Sequence, residues 1–279
     1  MAINTYAHVE TLEEYAKRFA EFFTFRRENG ILELKMHTNG GPVHWSYQFH
    51  HALAEVWTAI GHDKENECLI ITSTNPYWIA QWDTESFKEV EDSADADQRY
   101  NVQIYDTLKV VENFLNDIEI PTIAAVNGRG THWETAVMSD ITLISPDFVL
   151  KDNHYAMANG HVPGDGMGLS LQHLLGPKRG NYVMMTGTEL PAEELIKLGM
   201  ANEIVEKDKL LDRAWELAHY VMSKNRSCRR LTHKLCVRPW KALVERDFRL
   251  HVMAEMYSFN LSASNHDFNA IKWKKADEG

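Results

Sequence analysis

His132 and Glu134, two positions apart, follow directly on the apolar run Pro121 to Val126 and its closing Asn127-Gly128, and further along comes Pro163-Gly164-Asp165-Gly166. An imidazole and carboxylates at chain turns are placed to converge on a buried substrate, one group moving a proton while another steadies the resulting charge. The chain therefore reads first as an enzyme. Each residue also has a plainer role open to it. Asp165 precedes Gly-Met-Gly-Leu and a helical pattern, so it suits an N-cap as well as an acid–base group. Glu134, in the first turn of a helix, is favoured there by the helix dipole whatever its function. Taken singly, Trp45 and Phe87 read as core aromatics, and His132 and His154 as hydrogen-bonded or surface imidazoles among 14 histidines.

The elements that must position these groups follow an α/β pattern. Asn29-Gly30 between Phe22–Glu28 and Ile31–His37 is a hairpin signal, because both central residues of a type I′ turn need positive φ. Ser46 to Ile60 carries apolar residues at helical spacing, and Cys68 to Thr72 is a short apolar run of the buried-strand kind. The acidic segment Glu89 to Asp97 reads as a solvated loop or a mobile flap, and Asn101 to Asp117 as one amphipathic helix ending before Pro121. Strand Thr122 to Val126 then leads into a helix carrying His132, strand Ile141 to Ser145 follows, and helices dominate from Leu169 onward.

With 279 residues, 44% of them hydrophobic, the chain can bury one large core without staples. Its three cysteines, Cys68, Cys228 and Cys236, form no Cys-x-x-Cys pair and no disulfide framework, which fits a reducing cytoplasm. A net charge of −11 argues against a nucleic-acid partner, and the basic segment Lys224 to Arg230 reads as the solvated face of a helix. There is no apolar stretch of membrane-spanning length, and no signal-peptide pattern at the N-terminus, so a cytoplasmic protein is expected. No grouping of His, Asp and Glu has a spacing that demands a metal, so neither a metal nor a cofactor is expected.

Val126-Asn127-Gly128, Glu134 and Asp140, with the later Thr186-Gly187, Ala192–Gly199 and Glu203-Ile-Val205, resemble the crotonase (enoyl-CoA hydratase/isomerase) superfamily over nearly the whole chain. The resemblance implies a crotonase-like spiral of ββα units with a helical C-terminal region: an N-terminal helical extension over 1–21, a core over 22–215 and a helical trimerisation region over 216–279. Two departures shape the functional expectation. Hydratases carry a Gly-Gly-Gly run before the Glu, where this chain has Arg129-Gly130-Thr131-His132-Trp133, and their second carboxylate stretch is replaced by Asp152-Asn153-His154-Tyr155-Ala156. Both departures are similar to those of the β-diketone hydrolase branch typified by 6-oxocamphor hydrolase. There His132-x-Glu134, Asp165, His154, Trp45, Phe87 and Glu255 match, respectively, a His-x-Glu, a catalytic aspartate, its histidine, a pocket tryptophan, a pocket phenylalanine and a C-terminal active-site glutamate.

That resemblance implies retro-Claisen cleavage of a cyclic β-diketone to a keto acid. His154 paired with Asp165 would activate water, while Trp45, His132 and Glu255 hold the other carbonyl and the enolate. His161 competes with His154 for the pairing, because the loop from Phe148 to Asp165 is long. His44, His50, His51 and His251 flank matched positions and suggest a pocket of different shape. A CoA-thioester hydratase, isomerase or hydrolase using Glu134, with Arg129 and Lys151 on CoA phosphates, is the alternative. Bulky Gln81 and Trp82 argue against it, standing where CoA-processing members have Ala and Gly. A third reading is a catalytically silent scaffold. The partners implied are a small diketone and further copies of the chain, as a homotrimer or dimer of trimers; the apolar helix with Met253, Met256, Tyr257 and Phe259 would pack on a neighbour or close its own pocket.

Overall fold

The computed structural model describes residues 8–152, 154–155 and 160–262. Thr11 starts α1 (Leu12–Arg18): its hydroxyl accepts from the Glu14 N–H while Glu14 accepts from the Thr11 N–H, a reciprocal cap. Tyr15 on this helix is fully buried and donates its hydroxyl to Asp63, so the segment is packed onto the main core. The hairpin expected at Asn29-Gly30 is present. β1 (Phe23–Glu28) and β2 (Ile31–Met36) pair antiparallel, and both turn residues have positive φ, 50° and 83°.

Next come β3 (His44–Trp45), α2 (Tyr47–His62), β4 (Cys68–Ser73), β5 (Gln81–Trp82), α3 (Thr84–Glu91), α4 (Ala96–Tyr100), a π-helical turn at Asn101–Tyr105 and α5 (Asp106–Asp117). The Ser46 hydroxyl caps α2 by accepting from the Phe49 N–H. The acidic segment departs from expectation: most of it belongs to two short helices, because Asp83 and Asp95 each accept backbone N–H groups at a helix start. The helix expected from Asn101 is likewise interrupted, its first five residues forming the π turn.

β6 (Thr122–Val126), α6 (Glu134–Met138), β7 (Ile141–Ile144) and β8 (Val149–Leu150) precede α7 (Met167–Thr186), which kinks at Gly176 ahead of Pro177. β9 (Leu190–Pro191), α8 (Ala192–Lys197), β10 (Glu203–Ile204), α9 (Lys207–Met222), α10 (Arg226–Leu243), a second π turn at Val244–Phe248 and α11 (Arg249–Ser262) complete the described chain.

The main sheet has 6 strands in the order β1-β2-β4-β6-β7-β10, parallel throughout except for the hairpin. Alternation sorts its side chains: Leu32, Leu34, Leu69, Ile71, Ala124 and Val126 join the large core with α2 and α5. Ile31, Cys68, Ile70, Ile123, Ala125 and Leu143 pack against Leu210, Ala214, Trp215 and Ala218 of α9. Cover on both faces explains why β4 and β6 are apolar without alternation. Two polar residues pin this layering. Glu33 accepts the Trp215 indole N–H, and Asp140 Oδ2 accepts the Thr122 N–H and lies 2.7 Å from His233 Nδ1. No helix among the described residues is long and apolar enough to cross a membrane.

Candidate active site

A cavity is lined by Trp45, Tyr47, His50, Trp82, Phe87, Gln103, Thr107, His132, Asp165, Glu255, Met256 and Phe259. The short parallel pairing of β3 with β5 sets Trp45 beside Trp82 in register, so two residues far apart in sequence wall one side. Phe87 of α3 packs on Trp82 and Tyr47, with ring centroids 4.8 and 4.2 Å apart.

His132 sits before α6, not within it, because the helix starts at Glu134. Its φ is +51°, a conformation that ordinary side chains adopt at some cost and histidine more readily than most. The surroundings hold it there. Trp78 Nε1 donates to the His132 carbonyl, Thr131 N–H donates to Ile79, and a Cβ on Gly130 would come within 2.6 Å of the Ile79 nitrogen. The His132 ring stacks on Trp45, centroids 3.7 Å apart and planes within 8°. Its Nδ1 lies 3.2 Å from Asp165 Oδ2 and 3.5 Å from Glu134 Oε1.

His154 follows β8 at a turn where Asp152 accepts both its backbone N–H (2.7 Å) and its Nδ1 side (3.0 Å). The opposite nitrogen, Nε2, lies 3.5 Å from both Asp165 Oδ2 and Glu255 Oε1. This corrects the expected pairing: the carboxylate that orients His154 is Asp152, and Asp165 lies between the two imidazoles, nearer His132. The proximity of Asp152 was readable as Asp-x-His, but its role is one of tertiary geometry. His161 donates its backbone N–H to the His154 carbonyl and sets its ring beside Phe259, so His154 is the imidazole shown facing Asp165. Residues 156–159 of the long loop from Phe148 to Asp165 lie outside the described residues.

The N-cap of α7 is Gly166, not Asp165, whose two carboxylate oxygens are divided between the backbone and the imidazoles. Oδ1 accepts the Met167 N–H at the start of α7, and Oδ2 faces the imidazoles. Glu255 reaches the cluster because α11 crosses against Gly164, where a Cβ would meet the His251 carbonyl at 2.2 Å and Glu255 Cβ at 2.6 Å. Trp45, expected with His132 and Glu255 to meet a substrate oxygen, lines the cavity, and its ring face braces His132. Of the four flanking histidines His50 lines the cavity, whereas His51 pairs with Asp106 and His44 lies beside Gln81.

Burial and charge set the protonation of this cluster. Burial alone would lower His132, but Glu134 and Asp165 outweigh it and raise the imidazole to about 9. His154 is likewise raised well above its ordinary value, Asp165 and Asp152 overcoming burial. Burial would raise Asp165, yet the charges of His154 and His132 hold it far below the usual carboxylate range. Burial and the Asp165 charge push Glu134 and Glu255 up to about 7. His50, buried and next to His132, falls to about 3 and stays neutral. The result is an anionic Asp165 between two imidazolium groups, flanked by carboxyls that exchange protons near neutrality. Buried His132 Nε2, His154 Nε2, Asp165 Oδ2 and Glu255 Oε2 have no hydrogen-bond partner among the described residues, the arrangement a polar ligand would complete.

Two donor sets, His132/Glu134/Asp165 and His154/Asp165/Glu255, each lie within 4.8 Å, close enough to hold a metal ion. Chain spacing did not reveal this convergence. The opposite charges of the same imidazoles and carboxylates also balance one another.

Residues 26–264 match the enoyl-CoA hydratase/isomerase family model. The chain belongs to the enoyl-CoA hydratase/isomerase family. Among solved structures, this family member resembles a β-diketone hydrolase from the cyanobacterium Anabaena sp. PCC 7120 bound to (S)-3-oxocyclohexyl acetic acid: TM-score 0.82, 31% identity, 90% of this chain and 98% of that one. An enoyl-CoA hydratase/isomerase from Mycobacterium paratuberculosis shares the fold at TM-score 0.78 and 24% identity, over 90% and 97% of the two chains. A carnitinyl-CoA dehydratase from Citrobacter koseri is 31% identical over 212 residues, 73% of this chain and 76% of that protein. The crotonase-like architecture is thus established, and enoyl-CoA hydratase/isomerase family members are enzymes.

Proposed function

We propose that the protein is a hydrolase that cleaves the carbon–carbon bond between the two carbonyls of a cyclic β-diketone. The observation that carries this reading is the meeting of His154 with Asp165 and Glu255 beside an aromatic cavity that His132, Asp165 and Glu255 line, and whose lining contains neither Lys nor Arg among the described residues. Such a wall suits a small uncharged substrate, and the likeness to a β-diketone hydrolase supports the same choice.

In the proposed reaction His154 in its neutral form, its Nδ1–H held by Asp152, takes a proton from water at Nε2. The hydroxide adds to one carbonyl, and an imidazolium at His132 donates to the oxygen that becomes negative. The tetrahedral intermediate collapses, and the pair of the breaking C–C bond passes to the second carbonyl as an enolate. That enolate takes a proton at carbon from the imidazolium of His154 or from Glu255. One water is consumed, no electrons are exchanged, and the product is a carboxylate with a surviving ketone.

Glu134, buried and raised to about 7, favours the alternative of thioester hydration, as does the likeness to carnitinyl-CoA dehydratase. Against it, Trp45 and Trp82 fill the cavity wall, Arg129 donates to the Asp147 carbonyl, and Lys151 pairs with Glu189. The deciding assay offers cyclic and bicyclic 1,3-diketones alongside crotonyl-CoA, with mass spectrometry for a gain of one water. Asp165→Asn is expected to lower diketone kcat by about 10³-fold or more while the fold survives. Turnover of the thioester alone would return the chemistry to Glu134. Keto acids such as 3-oxocyclohexyl acetic acid are the product-type ligands for binding work. We also propose a homotrimer or dimer of trimers, with a small diketone as the partner molecule.

A further inference from the structure

We propose that Gln103 binds the carbonyl that water does not attack, the one that departs as the enolate and survives as the ketone of the keto acid. This assignment rests on the diketone-cleavage reading. Gln103 lies in the π-helical turn Asn101–Tyr105, lines the cavity and is 5% exposed. Its side-chain amide nitrogen is buried without a hydrogen-bond partner among the described residues. A buried amide left unpaired costs free energy, so a fold that retains one inside a cavity has a use for it when a ligand supplies the acceptor.

The local backbone is built around this residue. A π turn disrupts the regular i to i+4 bonding of a helix, and such turns concentrate at functional sites. Here the Gln103 carbonyl is taken up by the hydroxyl of Thr107, 2.8 Å away, and Thr107 lines the cavity as well. The turn is therefore anchored at its own carbonyl while the Gln103 amide is left for the cavity.

Charge selects the ligand atom. Asp165 and Glu255 also line the cavity, whose lining has no Lys or Arg among the described residues, and the imidazolium groups that neutralise anions belong to the His132/His154 cluster. A carboxylate formed by attack of water is best held by that cluster. A neutral amide N–H suits the uncharged ketone, and it keeps the same bond as the oxygen gains enolate charge. Two kinds of donor in one cavity thus tell the two carbonyls of a symmetric-looking diketone apart, and with them the direction of ring opening.

The test pairs a protein deletion with a ligand deletion. Calorimetry compares wild type with Gln103→Leu and Gln103→Met, using 3-oxocyclohexyl acetic acid and cyclohexylacetic acid, which lacks the ring ketone. The expected result is that either variant weakens the keto acid about 10-fold and the deoxo acid less than about 2-fold, and lowers kcat/KM for the diketone about 10- to 100-fold. Thermal stability should be equal or higher, since an unpaired amide has been replaced by an apolar group. Equal weakening of both acids, or of neither, overturns the Gln103 assignment while leaving the cleavage reading intact if wild type still opens diketones. Wild type that opens no diketone sinks the cleavage reading itself and the assignment with it.

Discussion

A histidine acting as a base must be neutral, and His154 resists becoming so. Burial would lower its pKa, but Asp165 and Asp152 hold the proton on it well above the ordinary imidazole range. The acid limb of kcat/KM against pH is therefore expected above neutrality, and loss of the proton from His132, raised to about 9, closes the profile at high pH. The two limbs belong to the linked cluster, so substitution rather than inspection assigns them. Replacing Asp152 by Asn removes one of the charges that hold the His154 proton. The acid limb should then move to lower pH, while kcat falls about 10²-fold because the imidazole loses its fixed tautomer. An unmoved limb would mean that His154 is not the group titrating.

Helices and loops decide whether these groups meet. Gly164 permits the turn before Asp165 to press against α11, where any Cβ would strike the His251 carbonyl. Gly164→Ala is expected to displace α11 and Glu255, lowering kcat/KM about 10- to 100-fold, with the far-ultraviolet circular dichroism spectrum retained. At the start of α10, the basic segment read as a solvated face gathers on one carboxylate instead. Arg226, Arg229 and Arg230 all contact Glu67, at 2.6, 2.7 and 3.1 Å. Burial would raise Glu67, but the arginines outweigh it and hold the carboxyl down to about 2, against 4.5 unperturbed. A depressed carboxyl adds stability that is full above pH 4.5 and is lost as pH falls through about 2. Glu67→Gln should cost about 1–3 kcal/mol in urea titrations at pH 7, and the deficit should shrink in acid.

At the scale of the whole molecule, α11 presents two faces. Val252, Glu255 and Phe259 are buried, and Glu255, Met256 and Phe259 line the cavity. Leu250, Met253, Tyr257 and Leu261 form an outward stripe at helical spacing, between 52% and 73% exposed. The helix thus closes its own subunit's pocket and still offers an apolar face for the proposed trimer. Sedimentation is expected to give a trimer or hexamer, and Leu250→Glu with Tyr257→Glu to shift it towards monomer. A monomeric wild type at micromolar concentration would remove the assembly proposal without touching the site.

Much of the scaffold was legible because it depends on local pattern. Asn29-Gly30 demands a turn with positive φ, Ser46 caps α2, and the apolar runs of β4 and β6 have nowhere to go but a sheet covered on both faces. The candidate site was legible as a set of types and positions: Trp45, Phe87, His132, Asp165 and Glu255 line one cavity, and His154 meets Asp165 and Glu255. Their partnerships were not. That Asp152 rather than Asp165 orients His154, that Trp45 braces His132, that two donor sets converge, and that a π turn leaves Gln103 in the cavity wall all depend on distances between separate elements. Those distances are set by backbone contacts such as Gly130 against Ile79 and Gly164 against His251, which leave no periodic trace in the chain. The sequence by itself determined which groups were available and the sheet that carries them; tertiary packing decided which atoms face one another, because proton affinity and hydrogen bonding change over fractions of an ångström that no spacing rule records.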